Sequence, residues 1–521
     1  MLTIPFHDFD EAHRAENAKR MKEYLSFLVP LTGSSQDRNL DLRVPLRENP
    51  QHLFLYYHPE RPPFVYWMMI ATTSIFGTGE WAYRLPSFLT GALTIAVFVF
   101  FIIKYAKTIS VHAFFIGLLS LITSADLWLS SQYAQLDTSL TFFLFLSLVT
   151  LLVYMQKREL TLLIVSGLSF ALAILSKGQP AAIFIFPLLF LILAKKLTVK
   201  EFIRFCLWVL VILLPWFILL EVYFGFARVA EIFWKFAASS SMTEFSHIKA
   251  PVFWYLRWWW DSFRPGWTLF LALFIFDLLR KSFSWERQVL LSYIFGGFIL
   301  FSLSVNKIWW YVLPLIPAIS YYIYLSAGDY LKKNKSGLVN LSAIIFLASL
   351  PILITASNKV TILYGFAVTS LSLIFLRLNL SILSKFREAL IVISILFSLL
   401  ALYRHFPAVV PFHYNTKPVA LYFASLPGEK CLWVKDMPAE TAIFYSNAGE
   451  TPLLEQDSAL IPNCTNYLIT PLNIRDVPIT YTFRGKVYNL ADQEILYQTG
   501  TMKLIRLHPK SNQEVEEAKP Y

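Results

Sequence analysis

Residues 137–155 read DTSLTFFLFLSLVTLLVYM, a run whose single charged group, Asp137, stands at its head. A helix of about 20 such residues, rising 1.5 Å per residue, crosses the ~30 Å hydrocarbon core of a bilayer. The run therefore reads as a membrane-spanning helix with an acid at its entrance. Working outward, similar runs recur near residues 84–103, 110–130, 160–176, 179–194, 205–223, 267–279, 288–305, 309–326, 337–356, 360–376 and 388–403. The expected fold class is a polytopic α-helical membrane protein with about twelve transmembrane helices. Composition agrees. Of 521 residues, 56% are hydrophobic and 17% aromatic, with a mean hydropathy of +0.54. Only 15% are charged, whereas soluble domains carry about 25%. A soluble enzyme and a disordered or fibrous chain are excluded.

The net charge of +11 would suit a nucleic-acid partner if it were concentrated on a folded face, so its location matters. Residues 405–521 hold ten Lys/Arg against twelve Asp/Glu, leaving the excess among the apolar runs. There it alternates. Lys104/Lys107, Lys157/Arg158, Lys195/Lys196/Lys200/Arg204, Arg280/Lys281/Arg287, Lys332/Lys333/Lys335 and Arg377/Lys385/Arg387 fall in one class of connection, seventeen basic residues in all. The short connections of the other class hold Lys177, Lys307 and Lys359. Basic loops stay cytoplasmic, so the poor class faces outward, and no nucleic-acid partner is implied. This places three regions outside: the head (1–83), with interfacial helices; a loop near 224–266; and the tail (405–521). The bundle occupies 84–404. An outward head needs a segment to carry it across, and Met1 to Phe6 is too short and lacks signal-peptide features. Either downstream helices draw the head across or a further helix precedes it, and the second is the expectation.

In the tail, short β-rich runs such as 431–435, 466–470, 479–483 and 502–507 alternate with turns and an amphipathic stretch near 439–446. A small C-terminal extracytoplasmic α/β domain is expected. Cys206 lies in a membrane helix as packing, while Cys431 and Cys464 both lie in the tail, where an oxidising compartment would let them pair. No CxxC, HExxH or Cys/His cluster marks a dedicated metal site.

Ionisable residues near membrane depth are costly and tend to be functional, and here they gather on the outward face. Asp10 and Glu11 open a helical pattern that continues through His13, Arg14 and Glu16; acids there also suit a helix N-terminus. Tyr56 to Trp67 contains Arg61-Pro62-Pro63 before an aromatic amphipathic helix, which serves equally as an interfacial anchor. Arg84-Leu85-Pro86-Ser87 reads as the start of a helix with proline in its first turn. Asp137 could simply cap its helix, and Lys177 and Lys307 could simply snorkel. Together with Tyr311, however, these residues converge on one face. Cations beside carboxylates, reached through aromatic walls, suit a substrate whose phosphate is tied to a hydrophobic tail. The Phe253 to Asp261 stretch, with Trp254, Trp258, Trp259 and Trp260, reads either as an interfacial aromatic belt or as a carbohydrate-stacking surface.

At these residues the sequence resembles the C-type (GT-C) membrane glycosyltransferases that use polyprenyl-phosphate sugars, in particular the lipid A aminoarabinose transferases and protein O-mannosyltransferases. The family's outward Asp-Glu pair is matched by Asp10-Glu11, and its basic-Pro-Pro segment by Arg61-Pro62-Pro63. Its Arg-Leu-Pro-Ser is similar to residues 84–87, and its Asp with Leu-Thr-Phe-Phe to Asp137 and residues 140–143. Its Thr/Ser-Lys-Gly is similar to residues 176–178, and its Lys-x-x-x-Tyr-x-x-Pro to Lys307, Tyr311 and Pro314. The six motifs come in family order. His13-Arg14 stands where the family has Arg-Tyr, and Arg61 where it has Lys, which bears on the donor headgroup. The family's first membrane helix has no counterpart in this sequence.

The resemblance implies transfer of a sugar from a polyprenyl-phosphate donor to a lipid A, glycan or protein acceptor, with inversion, at the outer face of a bacterial inner (plasma) membrane. Asp10 would be the base with Glu11 supporting it. Arg61, Lys177, Lys307 and Tyr311 would hold the donor phosphate, with His13, Arg14, Arg84 and Asp137 supporting or binding substrate. No cofactor is obligatory, although clustered acids can hold a divalent metal. Three rival readings remain open: a transporter or flippase for lipid-linked sugars, another outer-face polymer enzyme, and a non-catalytic scaffold.

Overall fold

The structure is a computed structural model that describes residues 6, 9–32, 43–45, 54–58, 61–106, 110–231, 233–234, 251–281, 283–304, 307–333, 416–434, 439–446, 465–471, 480–483, 486–489, 494–499 and 502–507. In chain order the head contains α1 (Phe9–Glu23), β1 (Leu31–Thr32), β2 (Arg43–Pro45), β3 (Phe54–Tyr57) and α2 (Phe64–Phe76). The bundle follows with α3 (Glu80–Tyr105), α4 (Val111–Ile122), α5 (Ala125–Gln132), α6 (Asp137–Lys157) and α7 (Leu160–Lys177). A 3-10 turn at Gln179–Phe184 leads into α8 (Ile185–Leu193) and α9 (Val199–Phe224). Next come α10 (Trp254–Ser262), α11 (Arg264–Arg280), α12 (Trp285–Leu303), a 3-10 turn at Trp309–Val312, and α13 (Leu315–Lys333). The tail holds α14 (Lys417–Ser425), β4 (Lys430–Val434), α15 (Ala439–Ser446), β5 (Thr465–Pro471), β6 (Thr480–Phe483), β7 (Lys486–Asn489), β8 (Glu494–Gln498) and β9 (Met502–Leu507).

Among the described residues six helices are long and apolar enough to cross a membrane. A seventh crossing results if α4 and α5, bent by 51° at their junction, form one broken span. The protein is an integral membrane protein. Each expected run from 84–103 to 309–326 is helical, but not each makes an uninterrupted span. The 179–194 run divides where Gly178 takes φ +82° and Pro180 enters a 3-10 turn. The expected spans at 337–356, 360–376 and 388–403 lie outside the described residues.

Local chemistry sets many of the ends. Ser110, Ser124 and Ser284 accept from backbone N–H groups in the first turns of α4, α5 and α12. Thr198 and Glu201 form a reciprocal capping box at α9. One boundary differs from the sequence reading. Helix α3 begins at Glu80, so Pro86 is interior rather than in the first turn. Proline has no N–H for the carbonyl four residues earlier. That carbonyl, Ala82 O, accepts instead from Thr72 Oγ1 at 2.7 Å.

The chain divides into two compact units, residues 1–85 with 412–521, and residues 86–411. In the first, β3 pairs antiparallel with both β1 and β2. A four-stranded sheet runs in the order β4-β5-β9-β8, with β4 and β5 parallel and the other pairs antiparallel. Its core joins Leu432 and Val434 of β4, Val419 and Phe423 of α14, Ile443 of α15, and Leu504 of β9. The strands β6 and β7 pair separately. Cys431 is disulfide-bonded; Cys464, its expected partner, lies outside the described residues, and Cys206 is free. In the second unit, Ser147 and Ser166 bond across α6 and α7 at 3.1 Å. A Cβ on Gly91 of α3 would meet Ser131 Oγ at 2.1 Å, so the approach of α3 to the end of α5 depends on glycine.

Candidate active site

The candidate residues fall into two sets, one in each unit. In the first unit, α1 presents Asp10 and Glu11 in its opening turn, where carboxylates offset the helix dipole. Their neighbourhoods differ. Glu11 and Arg84 are fully buried and form a bidentate pair, Nε to Oε1 at 2.7 Å and Nη2 to Oε2 at 2.9 Å. The Arg84 guanidinium also lies 5.1 Å from the Phe6 ring centre. Asp10 keeps 28% of its side chain exposed and accepts from Arg14 Nη2 at 2.9 Å. Of the two carboxylates, then, Glu11 is enclosed by its partner and Asp10 reaches solvent.

His13 lies one turn after Asp10, buried, with its ring 6.2 Å from that of His58 in an edge-to-face arrangement. With the Asn17 amide turned so that its nitrogen sits 3.0 Å from Leu31 O, its oxygen accepts from His13 Nε2 at 3.3 Å. Burial, then Arg61, His58 and Arg14, hold the imidazole well below its ordinary 6.5. Arg61 is half-buried, and its backbone N–H donates to His58 O at 3.1 Å. The unfolded chain therefore binds more protons than the folded one between His13's lowered value and 6.5, so stability rises with pH there and falls on acidification below about 6.5. The Tm of the purified protein is expected to drop between pH 7 and pH 5. His13→Gln should flatten that slope, and an unchanged slope in the variant would reject this assignment.

In the second unit, Asp137 is the first residue of α6, but it does not act as the N-cap: that position is Leu136, which makes no side-chain cap bond. The carboxylate instead receives Lys177 Nζ, from the last residue of α7, at 2.5 Å. The same ammonium lies 4.6 Å from the centre of the Tyr311 ring. Lys307 is 5% exposed. Its Nζ donates to Ser304 O at 2.7 Å, and among the described residues no carboxylate pairs with it. Burial lowers its pKa from the ordinary lysine range. Asp137, Lys177, Lys307 and Tyr311 share one end of the helix bundle. Neither lysine is a snorkelling surface cation.

The backbone carrying Lys307 is braced by α10. Tyr255 OH donates to Ile308 O at 3.2 Å, and Trp258 stacks on Trp309 at 6.0 Å and on Trp254 at 5.5 Å. Buried Asp126 fixes α10 in turn, accepting from Trp258 Nε1 and Ser262 Oγ, each at 3.0 Å. At the opposite end of the same helices, Arg287 Nη1 donates to both oxygens of buried Asp277, at 2.9 and 3.1 Å, and Nη2 to Asp329 at 2.9 Å. Tyr322 and Ser326 also donate to Asp277, both at 2.7 Å. Among the described residues, no group of three or more His, Cys, Asp or Glu side chains is placed to hold a metal ion.

Comparison with known proteins bears on this geometry. Residues 60–219 match the dolichyl-phosphate-mannose-protein mannosyltransferase family. The chain also superposes on ArnT from Cupriavidus metallidurans in its apo state, with a TM-score of 0.66 at 17% identity, covering 98% of this chain and 96% of that one. The fold is that of ArnT. The same ArnT bound to undecaprenyl phosphate gives a TM-score of 0.65 at 18% identity, covering 97% and 96% of the two chains. An uncharacterized protein of Aquifex aeolicus (strain VF5) is 25% identical over 375 residues, 70% of this chain and 67% of that protein.

Within this fold, the sequence reading overlooked His58, Asp126, Gln135 and Asp277. Two of them carried a usable signal. Asp126 and Asp277 are acids inside runs counted as membrane spans, where ionisable groups call for a named partner. His58 stood inside the Tyr56 to Trp67 stretch and Gln135 two residues before Asp137, and the contacts that fix their backbones, Pro30 O and Ser87 Oγ, come from sequence-distant segments that no local pattern reveals.

Proposed function

We propose that the chain is a glycosyltransferase that moves a sugar from a polyprenyl-phosphate donor to a lipid, glycan or protein acceptor, with inversion, at the outer face of the membrane. The observation that carries this reading is the cationic end of the second unit. Lys307, buried with a carbonyl as its contact, and Lys177, set between Asp137 and the Tyr311 ring, offer positive charge where a lipid-borne phosphate needs it. The C-type fold and the undecaprenyl phosphate bound by ArnT support the donor class. The seventeen-to-three division of basic residues supports an extracytoplasmic site and tail in a bacterial plasma membrane. About twelve spans and a C-terminal α/β domain belong to the same reading.

In the reaction, Asp10 takes the acceptor O–H proton as the acceptor oxygen bonds to the anomeric carbon. The bond from that carbon to the phosphate oxygen breaks, and its electron pair leaves with the phosphate. A phosphate departs as a stable anion, so the second carboxylic acid of an ordinary glycosidase is not required. Lys177, Lys307, Arg61 and Tyr311 stabilise the charge that develops on it. Glu11 supports Asp10 by anchoring the first turn of α1 through Arg84, and His13 and Arg14 flank the base. The scheme uses no resident cofactor, and a divalent cation is compatible with it.

The test is lipid analysis of membranes from cells with the gene intact, deleted, or carrying Lys307→Ala. Deletion should accumulate a sugar-loaded polyprenyl phosphate and remove one glycosylated product. A hydrogen bond to a charged group contributes about 1.5–3 kcal/mol, so the purified variant should bind undecaprenyl phosphate roughly tenfold or more weakly. Unchanged lipids on deletion, with the wild-type protein shown to be present in the parent cells, would favour transport or scaffolding instead.

A further inference from the structure

Between α5 and α6 the chain gathers polar groups that protein neighbours leave unmet. Gln135 is 1% exposed, and neither Oε1 nor Nε2 of its amide has a hydrogen-bond partner among the described residues. Two further buried atoms nearby in sequence are in the same condition, Ser130 Oγ and Asp137 Oδ2. The backbone around them is not loose. Gln135 N donates to Ser87 Oγ at 3.0 Å, Ser87 Oγ donates to Gln135 O at 2.9 Å, and Thr138 Oγ1 donates to Ser130 O at 3.3 Å. The fold thus fixes this segment through its main chain while leaving its side-chain amide, hydroxyl and carboxylate oxygen unsatisfied. Buried polar groups are ordinarily paired, and several unpaired ones within eight residues, beside a proposed phosphate site, call for a ligand.

The unmet atoms define that ligand's chemistry. An amide offers donors and an acceptor, a hydroxyl offers both, and a carboxylate oxygen accepts. Vicinal hydroxyls complement such a set, since each donates once and accepts. No net charge is demanded, because Lys177 already balances Asp137 through its other oxygen. The same ammonium faces Tyr311, which places Asp137, two residues after Gln135, next to the cations assigned to the donor phosphate.

We propose that Gln135, with Ser130 and Asp137 Oδ2, forms the subsite for the hydroxyl-bearing glycosyl group of the donor. This rests on the transferase reading above. In the present arrangement the atoms are shut from solvent, so ligand entry turns the Gln135 side chain about its own torsions.

The experiment compares wild type, Gln135→Leu and Lys307→Ala in nanodiscs. The probes are bare undecaprenyl phosphate, undecaprenyl-phosphate mannose and undecaprenyl-phosphate aminoarabinose. Wild type should bind at least one loaded lipid tenfold or more tightly than the bare one. Gln135→Leu should erase that preference with bare-lipid affinity unchanged, whereas Lys307→Ala should weaken all three. Leucine for an unpartnered buried amide should also leave Tm equal or higher, the signature of a group kept for binding rather than stability. A lowered Tm would assign the amide a water-bridged structural role and overturn the proposal. So would a wild type that binds loaded and bare lipids alike, or a variant that retains the preference or loses affinity for every lipid equally. If wild type binds none of the three, the transferase reading itself fails, which is a separate result.

Discussion

Asp10→Asn is expected to abolish sugar transfer while leaving the fold and the donor-phosphate affinity in place. A positioned general base contributes about 10²–10⁴-fold to rate, and Asn keeps the shape of Asp without its proton affinity. The exchange is structurally mild. Asp10 is partly exposed, and an amide oxygen can still accept from Arg14, so the first turn of α1 has little reason to move. Single-turnover transfer with the purified variant, beside its binding of undecaprenyl phosphate, separates the two roles. Retention of more than about a tenth of the wild-type rate lies outside the range for a general base, and would remove Asp10 from the reaction. Loss of lipid binding and transfer together would make it a structural residue.

Glu11→Ala should act on stability instead, and strongly. The substitution leaves the Arg84 guanidinium buried without its bidentate partner. Removing one member of a buried ion pair costs about 3–5 kcal/mol, against a total stability of roughly 5–15 kcal/mol for a typical domain. A large drop in Tm, or failure to accumulate, is the expected outcome. Glu11→Ala combined with Arg84→Met should recover much of the loss, because it removes the stranded charge and keeps the volume. If the double variant is no more stable than Glu11→Ala alone, the penalty arises from something other than the uncompensated arginine.

Much of this architecture was legible because bilayer constraints act on sequence directly. A run such as 137–155 has few folded alternatives in hydrocarbon, so helices appear where apolar runs of that length occur. The boundaries were less legible, since they depend on contacts made elsewhere. Pro86 suggested a helix start, but the hydroxyl of Thr72 takes up the carbonyl that proline leaves without a donor, which lets α3 extend back to Glu80. Asp137 offered an N-cap, yet Lys177, forty residues away, claims its carboxylate. The motifs named Asp10 and Glu11 as a pair. Their division into an exposed carboxylate and an enclosed one follows from Arg84, whose burial no local pattern shows.

The Asp277–Arg287–Asp329 network has a consequence for biogenesis. Asp277 and Arg287 lie ten residues apart on the consecutive helices α11 and α12, so the opposite charges meet within one hairpin. Asp277 and Arg287 are both buried, so either helix packed without the other would bury a charge apart from its opposite, while the hairpin holds a neutral pair. The two helices are therefore suited to pack as one unit before α13 joins them. Asp329, on α13 and partly exposed, then receives the remaining arm of the guanidinium and fastens the third helix to a hairpin already in place.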